Sequence, residues 1–165
     1  MATKVFIDGE AGTTGLQIRE RLAGREDIAL VQVDPARRKD ADARRAALAE
    51  AEVAILCLPD AAARDSVALA EGLPVRFIDA STAHRVADGW TYGFPELSAE
   101  TRAAIPGARF VANPGCYATG AIAILAPLVA AGLVAADEPL SLNAVSGYTG
   151  GGKEMIAEME AEGAP

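Results

Sequence analysis

Apolar positions along the chain fall into short β-branched runs separated by stretches of helical period. Residues 4–7, 28–33, 53–58, 75–78 and 110–112 each predict a strand. Residues 13–22, 41–51 and 61–70 predict helices, the first with Leu16, Ile18 and Leu22 available for its buried side. The run 53–58 is apolar at every position, as expected of a strand covered on both faces, and Pro59 with Asp60 ends it. Strands alternating with helices in this way predict an α/β fold, a doubly wound parallel sheet with helices on both faces.

Beyond Asp79 the texture changes. Residues 80–97 hold Trp90, Tyr92 and Phe94 among Gly89, Gly93 and Pro95, and predict an ordered loop region. Ser98 is a candidate N-cap for a short helix ending before Pro106. A helix is predicted over 116–131, with Pro127 forcing a bend or a stop. A strand over 140–145, a glycine-rich loop over 147–152 and a helix over 153–162 complete the pattern, with no internal repeat. Residues 110–136 carry no charge, which invites a transmembrane reading. Asn113, Pro114, Gly115, Gly120, Pro127 and Gly132 interrupt that run, so a buried strand followed by a buried helix explains it better.

Composition narrows the class. With 165 residues, 51% apolar and 23% charged, the chain is long and apolar enough for a real core, which excludes intrinsic disorder. A net charge of −8, with basic residues clustered only at Arg37-Arg38-Lys39 and Arg44-Arg45, argues against nucleic-acid binding. Two cysteines and an apolar strand pattern beginning within a few residues of Met1 predict reduced thiols in a cytoplasmic protein, with no secretory leader and no membrane anchor.

The strongest short motif is Gly9-Glu10-Ala11-Gly12-Thr13-Thr14-Gly15, between the first strand and the first helix. Its G-x-x-G-x-x-G spacing is a variant of the dinucleotide fingerprint. Glycines there permit a tight turn and bring backbone N–H groups and a helix N-terminus up to a pyrophosphate. Asp34 follows Gly15 by 19 residues, at the end of the second strand, where a carboxylate can bond a ribose hydroxyl. Arg37 and Arg38 follow it and suit a 2′-phosphate, which favours NADP over NAD. The predicted cofactor site is therefore Gly9, Gly12, Thr13, Thr14, Gly15, Asp34, Arg37 and Arg38.

Cysteine chemistry separates two positions. Cys57 lies inside Ile55-Leu56-Cys57-Leu58, where a thiol packs as a small inert hydrophobe. Cys116 follows Asn113-Pro114-Gly115 at the junction of a strand end and a helix start. A helix N-terminus favours the thiolate, the nucleophilic form, so Cys116 is the candidate nucleophile. His84, the chain's one histidine, is read as a surface or hydrogen-bonded residue, with a role as base to Cys116 the alternative. Residues 147–153 also fit the first seven positions of a Walker A loop, but Glu154 stands where the magnesium-binding hydroxyl belongs. That loop is read as a close-approach glycine segment, with Lys153 near an anionic ligand. No metal site is predicted.

Taken together, five segments resemble the N-acetyl-γ-glutamyl-phosphate reductase family, in its shorter subclass. They are Val5-Phe6-Ile7-Asp8-Gly9-Glu10-Ala11-Gly12-Thr13-Thr14-Gly15, Asp79-Ala80-Ser81-Thr82-Ala83-His84-Arg85 and Tyr92-Gly93-Phe94-Pro95-Glu96-Leu97, then Asn113-Pro114-Gly115-Cys116-Tyr117-Ala118-Thr119 and Ser146-Gly147-Tyr148-Thr149-Gly150-Gly151-Gly152-Lys153. They run in order from residue 5 to residue 153.

The resemblance implies a Rossmann-type NADP domain over 1–114, then the beginning of a semialdehyde-dehydrogenase-type α+β substrate and dimerisation domain over 115–165. It implies that Cys116 attacks the acyl phosphate of N-acetyl-γ-glutamyl phosphate and that NADPH reduces the resulting thioester to the semialdehyde, a step of arginine biosynthesis. Ser81, Arg85, Asn113, Ser146 and Gly147 become candidate substrate contacts, and a homo-oligomer is expected of the full-length protein. Family members are about twice this length, and the family's acid/base histidine lies farther along than this chain reaches. The expectation is a piece of a longer enzyme that binds NADP(H) weakly, turns over poorly, and leaves apolar surface uncovered near the 120s helix and residues 140–145. A reductase of a related aminoadipyl or aspartyl phosphate, and a non-catalytic dinucleotide-binding module, stay open beside it.

Overall fold

The computed structural model describes residues 1–145, 150 and 152–161. Strands β1 (Thr3–Asp8), β2 (Ile28–Val31), β3 (Val53–Leu56), β4 (Arg76–Asp79), β5 (Thr91–Tyr92) and β6 (Phe110–Ala112) form one sheet in the order β2-β1-β3-β4-β6-β5. Every neighbouring pair is parallel. Helices α1 (Thr13–Leu22), α2 (Ala41–Glu50), α3 (Asp60–Leu69), α4 (Ala99–Ala104), α5 (Cys116–Ala130) and α6 (Gly152–Glu160) complete the described chain. The chain steps from β1 to β2 on one side, then crosses to β3 on the other. That reversal opens a crevice at the carboxyl ends of β1 and β3, where doubly wound sheets bind ligands.

Local chemistry starts several of these helices. Asp40 caps α2 by accepting from the Ala43 N–H at 2.8 Å, and Ser98 caps α4 by accepting from the Thr101 N–H at 3.1 Å. Strand register then aligns the core. Phe6, Ala54, Phe77 and Phe110 lie in one row across β1, β3, β4 and β6, and Asp8, Leu56, Asp79 and Ala112 form the next row on the same face. Leu48 of α2 and Ala63 of α3 seal against this face, and Phe6, Ala54, Leu56 and Phe77 are buried. Each large side chain so buried contributes roughly 1.5–3 kcal/mol.

The structure departs from the sequence expectations at four places. Leu16 is 47% exposed, and the buried residue of α1 is Gly15. The helix makes its close approach to the sheet through Gly15 against the Gly9 carbonyl, and the next residue, about 100° farther round, turns outward. Thr91 and Tyr92, expected in a loop, form an edge strand because their backbone pairs with Val111 and Ala112. Pro127 does not stop α5, which runs on to Ala130. The stop comes at Gly132 (φ +69°), with the Leu133 N–H bonded to the Leu128 carbonyl and the Gly132 N–H to that of Val129, a Schellman ending. Residues 140–145 form no strand and are exposed, since no described segment offers them a backbone ladder.

Candidate active site

One cleft opens at the glycine loop and a second at the start of α5. The first, of about 420 Å³, is lined by Asp8 through Gly12, by Val31, Val33, Arg38, Lys39 and Arg44, and by Cys57, Leu58 and Ala62. Its floor requires glycine at two points. Gly9 has φ +91°, and a Cβ there would lie 2.3 Å from the Cys57 carbonyl oxygen. A Cβ on Gly15 would lie 2.4 Å from the Gly9 carbonyl oxygen. Gly12, the N-cap of α1, supplies no side-chain cap for the first turn, and the loop lines the cleft through Gly9 to Gly12, with the predicted Thr13, Thr14 and Gly15 just behind that lining.

The flanking polar residues divide differently from their order in the sequence. Arg38 lines this cleft, but Arg37 pairs with Asp40 at 2.8 Å and lines a separate shallow cleft with Asp34. The Asp34 carboxylate accepts from the Ala36 N–H at 2.8 Å, capping the 3₁₀ turn Pro35–Arg37. Lys39 and Arg44 face the first cleft instead. So does Asp8, which is 4% exposed and receives Arg44 Nη2 and Ser66 Oγ, each at 2.7 Å. The basic runs 37–39 and 44–45 pointed to the cations, but nothing local pointed to their meeting with Asp8. Asp8 and Arg44 are 36 residues apart and meet through the fold alone.

Cys57 closes the first cleft on the β3 side. Burial, with the negative charges of Asp79 and Asp8 on either flank, pushes its thiol up to about 11. It holds its proton at neutral pH, in keeping with the inert thiol expected from its apolar run.

The second cleft, of about 880 Å³, is lined by Cys116, Tyr117, Gly120 and Ile124 of α5 and by residues 142–145. Cys116 is exposed and is the first residue of α5, whose N-cap Gly115 again provides no side-chain cap. Arg85 reaches the same helix start. Its Nε donates to the Asn113 carbonyl at 3.2 Å, its Nη2 donates to the Ala80 carbonyl at 3.3 Å, and its Nη1 would lie 2.7 Å from a Cβ placed on Gly115. The Asn113 side chain is exposed and donates to the Pro114 carbonyl. Ser81 is buried, its hydroxyl donating to Asp79 at 2.7 Å and accepting from the Ala83 N–H. The predicted contacts Ser146 and Gly147 lie outside the described residues.

β1 and β6 stand three strand spacings apart, about 14 Å, so the glycine loop and Cys116 mark two stations on one sheet edge. An extended ligand anchored at the first can present its far end to the second. Among the described residues no helix is long and apolar enough to cross a membrane, and no cluster of three or more His, Cys, Asp or Glu side chains could hold a metal ion.

A doubly wound parallel sheet with a glycine loop and an exposed thiol on one edge defines the class of the fold, and sequence comparison supplies the family. Residues 18–105 match the NAD binding domain of semialdehyde dehydrogenase, and residues 116–164 match the dimerisation domain of the same family. The chain belongs to the semialdehyde dehydrogenase family. It is 57% identical over 166 residues to an N-acetyl-gamma-glutamyl-phosphate reductase of Brucella anthropi, covering 100% of this chain and 53% of that protein. The corresponding protein of Brucella ovis is 58% identical over 161 residues, covering 97% of this chain and 52% of its own length. The chain thus spans about half the length of these relatives. Among solved structures, aspartate semialdehyde dehydrogenase II of Vibrio cholerae, complexed with ASA, shares the fold with a TM-score of 0.64 at 17% identity, over 96% of this chain and 51% of that one.

Proposed function

We propose that this chain carries the dinucleotide site and the nucleophile of an N-acetyl-γ-glutamyl-phosphate reductase. The observation that carries the reading is the exposed Cys116 at the uncapped start of α5, on the same sheet edge as the glycine loop. Identity of 57–58% to reductases of that name supports the choice of substrate. We further propose a boundary between residues 114 and 115, dividing a dinucleotide domain from the beginning of a substrate and dimerisation domain. The exposed apolar side chains of α5 and residues 140–145 support a homo-oligomer of the full-length enzyme, and its two free thiols suit the cytoplasm as its place.

The first cleft fits a dinucleotide, because glycine at positions 9 and 15 lets the loop close against the Cys57 and Gly9 backbone, as a tight phosphate-binding turn needs, and Arg38, Lys39 and Arg44 line the space above it. Arg38 and Lys39 line this cleft, with Asp34 and Arg37 turned to the neighbouring one, which supports NADP over NAD. When bound, the reduced cofactor supplies the hydride. The protein's part is thiol chemistry. The Cys116 thiolate forms a bond to the acyl carbon of the acyl phosphate, the carbon–oxygen bond to phosphate breaks, and inorganic phosphate leaves with that electron pair. Cys116 then holds a thioester. Reduction at its carbon leaves an alkoxide on the thiohemiacetal, and collapse breaks the carbon–sulfur bond, releasing the semialdehyde and restoring the thiolate. Sulfur is both a strong nucleophile and a good leaving group, so one atom serves both halves. The Arg85 guanidinium beside Gly115 suits the anionic phosphate or the substrate carboxylate.

Mass spectrometry of the chain after brief exposure to N-acetyl-γ-glutamyl phosphate tests this reading. An acyl adduct on the Cys116 peptide is expected, absent from Cys116→Ser and discharged by NADPH. An unmodified Cys116 overturns the reading.

A further inference from the structure

The segment joining β4 to β5 contains a buried side-chain cluster that the reaction as described does not use. The Asp79 carboxylate is fully buried and accepts three hydrogen bonds, from the Ser81 N–H at 2.9 Å, the Ser81 hydroxyl at 2.7 Å and His84 Nδ1 at 2.6 Å. The His84 ring, 8% exposed, stacks on Trp90 with centroids 4.1 Å apart and planes 8° from parallel. Trp90 in turn leans on Phe110 of β6 at 5.0 Å. The imidazole is therefore held in its plane by one contact and along its edge by another, so the backbone at residue 84 has little freedom.

The next residue is Arg85. It forms no ion pair among the described residues, and its three recorded approaches are to the Ala80 carbonyl, the Asn113 carbonyl and the Gly115 backbone. The carboxylate that feels its charge is Asp60, whose own oxygens receive the Thr82 N–H and hydroxyl and which is held below the usual carboxylate range chiefly by that hydroxyl. The guanidinium thus stands at the start of the Cys116 helix bonded to two carbonyls and, among the described residues, to no carboxylate; like His84, it lies behind the lining of the second cleft.

We propose that His84, locked by Asp79 and Trp90, is a positioning residue that holds the Arg85 charge against the N-terminus of α5, so that an anionic acyl donor is drawn to Cys116. The inference rests on the reading of Cys116 as a nucleophile for an anionic substrate. It assigns the Asp79–His84 pair a role in substrate charge recognition, separate from any proton transfer.

Two alkylating reagents of similar reach test it on the chain as it stands. Iodoacetate is an anion and iodoacetamide is neutral. The ratio of their rates at the Cys116 peptide, followed by mass spectrometry near pH 8, cancels any change in thiolate fraction because that is common to both. The peptide readout keeps Cys57 apart. A fixed positive charge within about 6 Å should raise the ratio about threefold to tenfold over that of Arg85→Met. His84→Phe keeps a ring to stack on Trp90 but removes the donor to Asp79, and it should lose most of that gain. Trp90, the chain's one tryptophan, reports by its emission whether the stack is intact. Should His84→Phe not fold, Asp79→Asn weakens the same clamp and is expected to lower the ratio likewise. Equal ratios in wild type and Arg85→Met would overturn the anion-binding reading of the Cys116 cleft itself. A raised wild-type ratio that survives both His84→Phe and Asp79→Asn would overturn the positioning role alone.

Discussion

The first 112 residues and the residues from Cys116 onward obey different rules. In the first region the sheet buries Phe6, Leu56 and Phe77 beneath Leu48 and Ala63, and local structure and tertiary packing agree. In the second, α5 is a fifteen-residue helix with no buried residue, although its sequence is almost wholly apolar. Ile124, Leu133, Leu142 and Val145 stand more than half exposed. Helix formation needs only residues near in sequence, so α5 is complete. Burial needs a second surface, and the described residues cover α5 only in part, leaving Ala121, Ile122 and Leu125 half-buried and Ile124 open. The uncovered apolar area expected near the 120s helix and residues 140–145 is present.

The largest effect expected from this contrast is on stability. Phe77 is 1% exposed and stacks on Phe110 with ring centroids 5.8 Å apart. Phe77→Ala should cost about 3–5 kcal/mol in urea unfolding, by lost transfer energy and the cavity left behind. A loss below about 1 kcal/mol would mean that the first region is not the folding unit described above.

The two cysteines sharpen the contrast chemically. With its thiol pushed up to about 11, Cys57 is ionised to about one part in a thousand at pH 8. Its alkylation should rise about tenfold for each pH unit up to about 10, because each step removes the proton that burial holds in place. Peptide mass mapping from pH 7 to 10 checks this. Rapid labelling of Cys57 at pH 7 would show that its flank is open to solvent.

The smallest expected effect lies on the exposed helix. Ile124→Ser should alter unfolding free energy by no more than about 0.5 kcal/mol, since Ile124 is already 59% exposed. The same change should reduce self-association in sedimentation velocity. A destabilisation as large as that of Phe77→Ala would place α5 in a packed core and erase the distinction between the two regions.

Much of the candidate site could be read from the order of residues. The glycine loop sits where the G-x-x-G-x-x-G spacing puts it, because a strand-to-helix turn with φ +91° at Gly9 is a local requirement. Cys57 and Cys116 differ as their flanking residues imply, one inside an apolar run and one at a helix start. What escaped was whatever depends on which partner a polar side chain finds. Asp34, in the position of a ribose ligand, caps its own turn. Ser81, a candidate substrate contact, bonds Asp79. His84, read as a surface or hydrogen-bonded residue, proves to be a buried one whose bond is to Asp79 and whose ring lies on Trp90. The edge strand Thr91–Tyr92 is two residues long and carries no periodicity at all; only the pairing with β6 makes it a strand.

By itself, the sequence determined the alternation of strands and helices, the tight turn at the glycine loop and the placing of one cysteine at a helix start, because each follows from interactions within a few residues. Tertiary structure alone decided that Asp8 meets Arg44 across 36 residues, that Arg85 lies on Gly115, and that no residue of the long apolar helix is fully buried. Charge pairing and burial act between surfaces that the chain brings together only by folding, and no local pattern encodes which surfaces those will be.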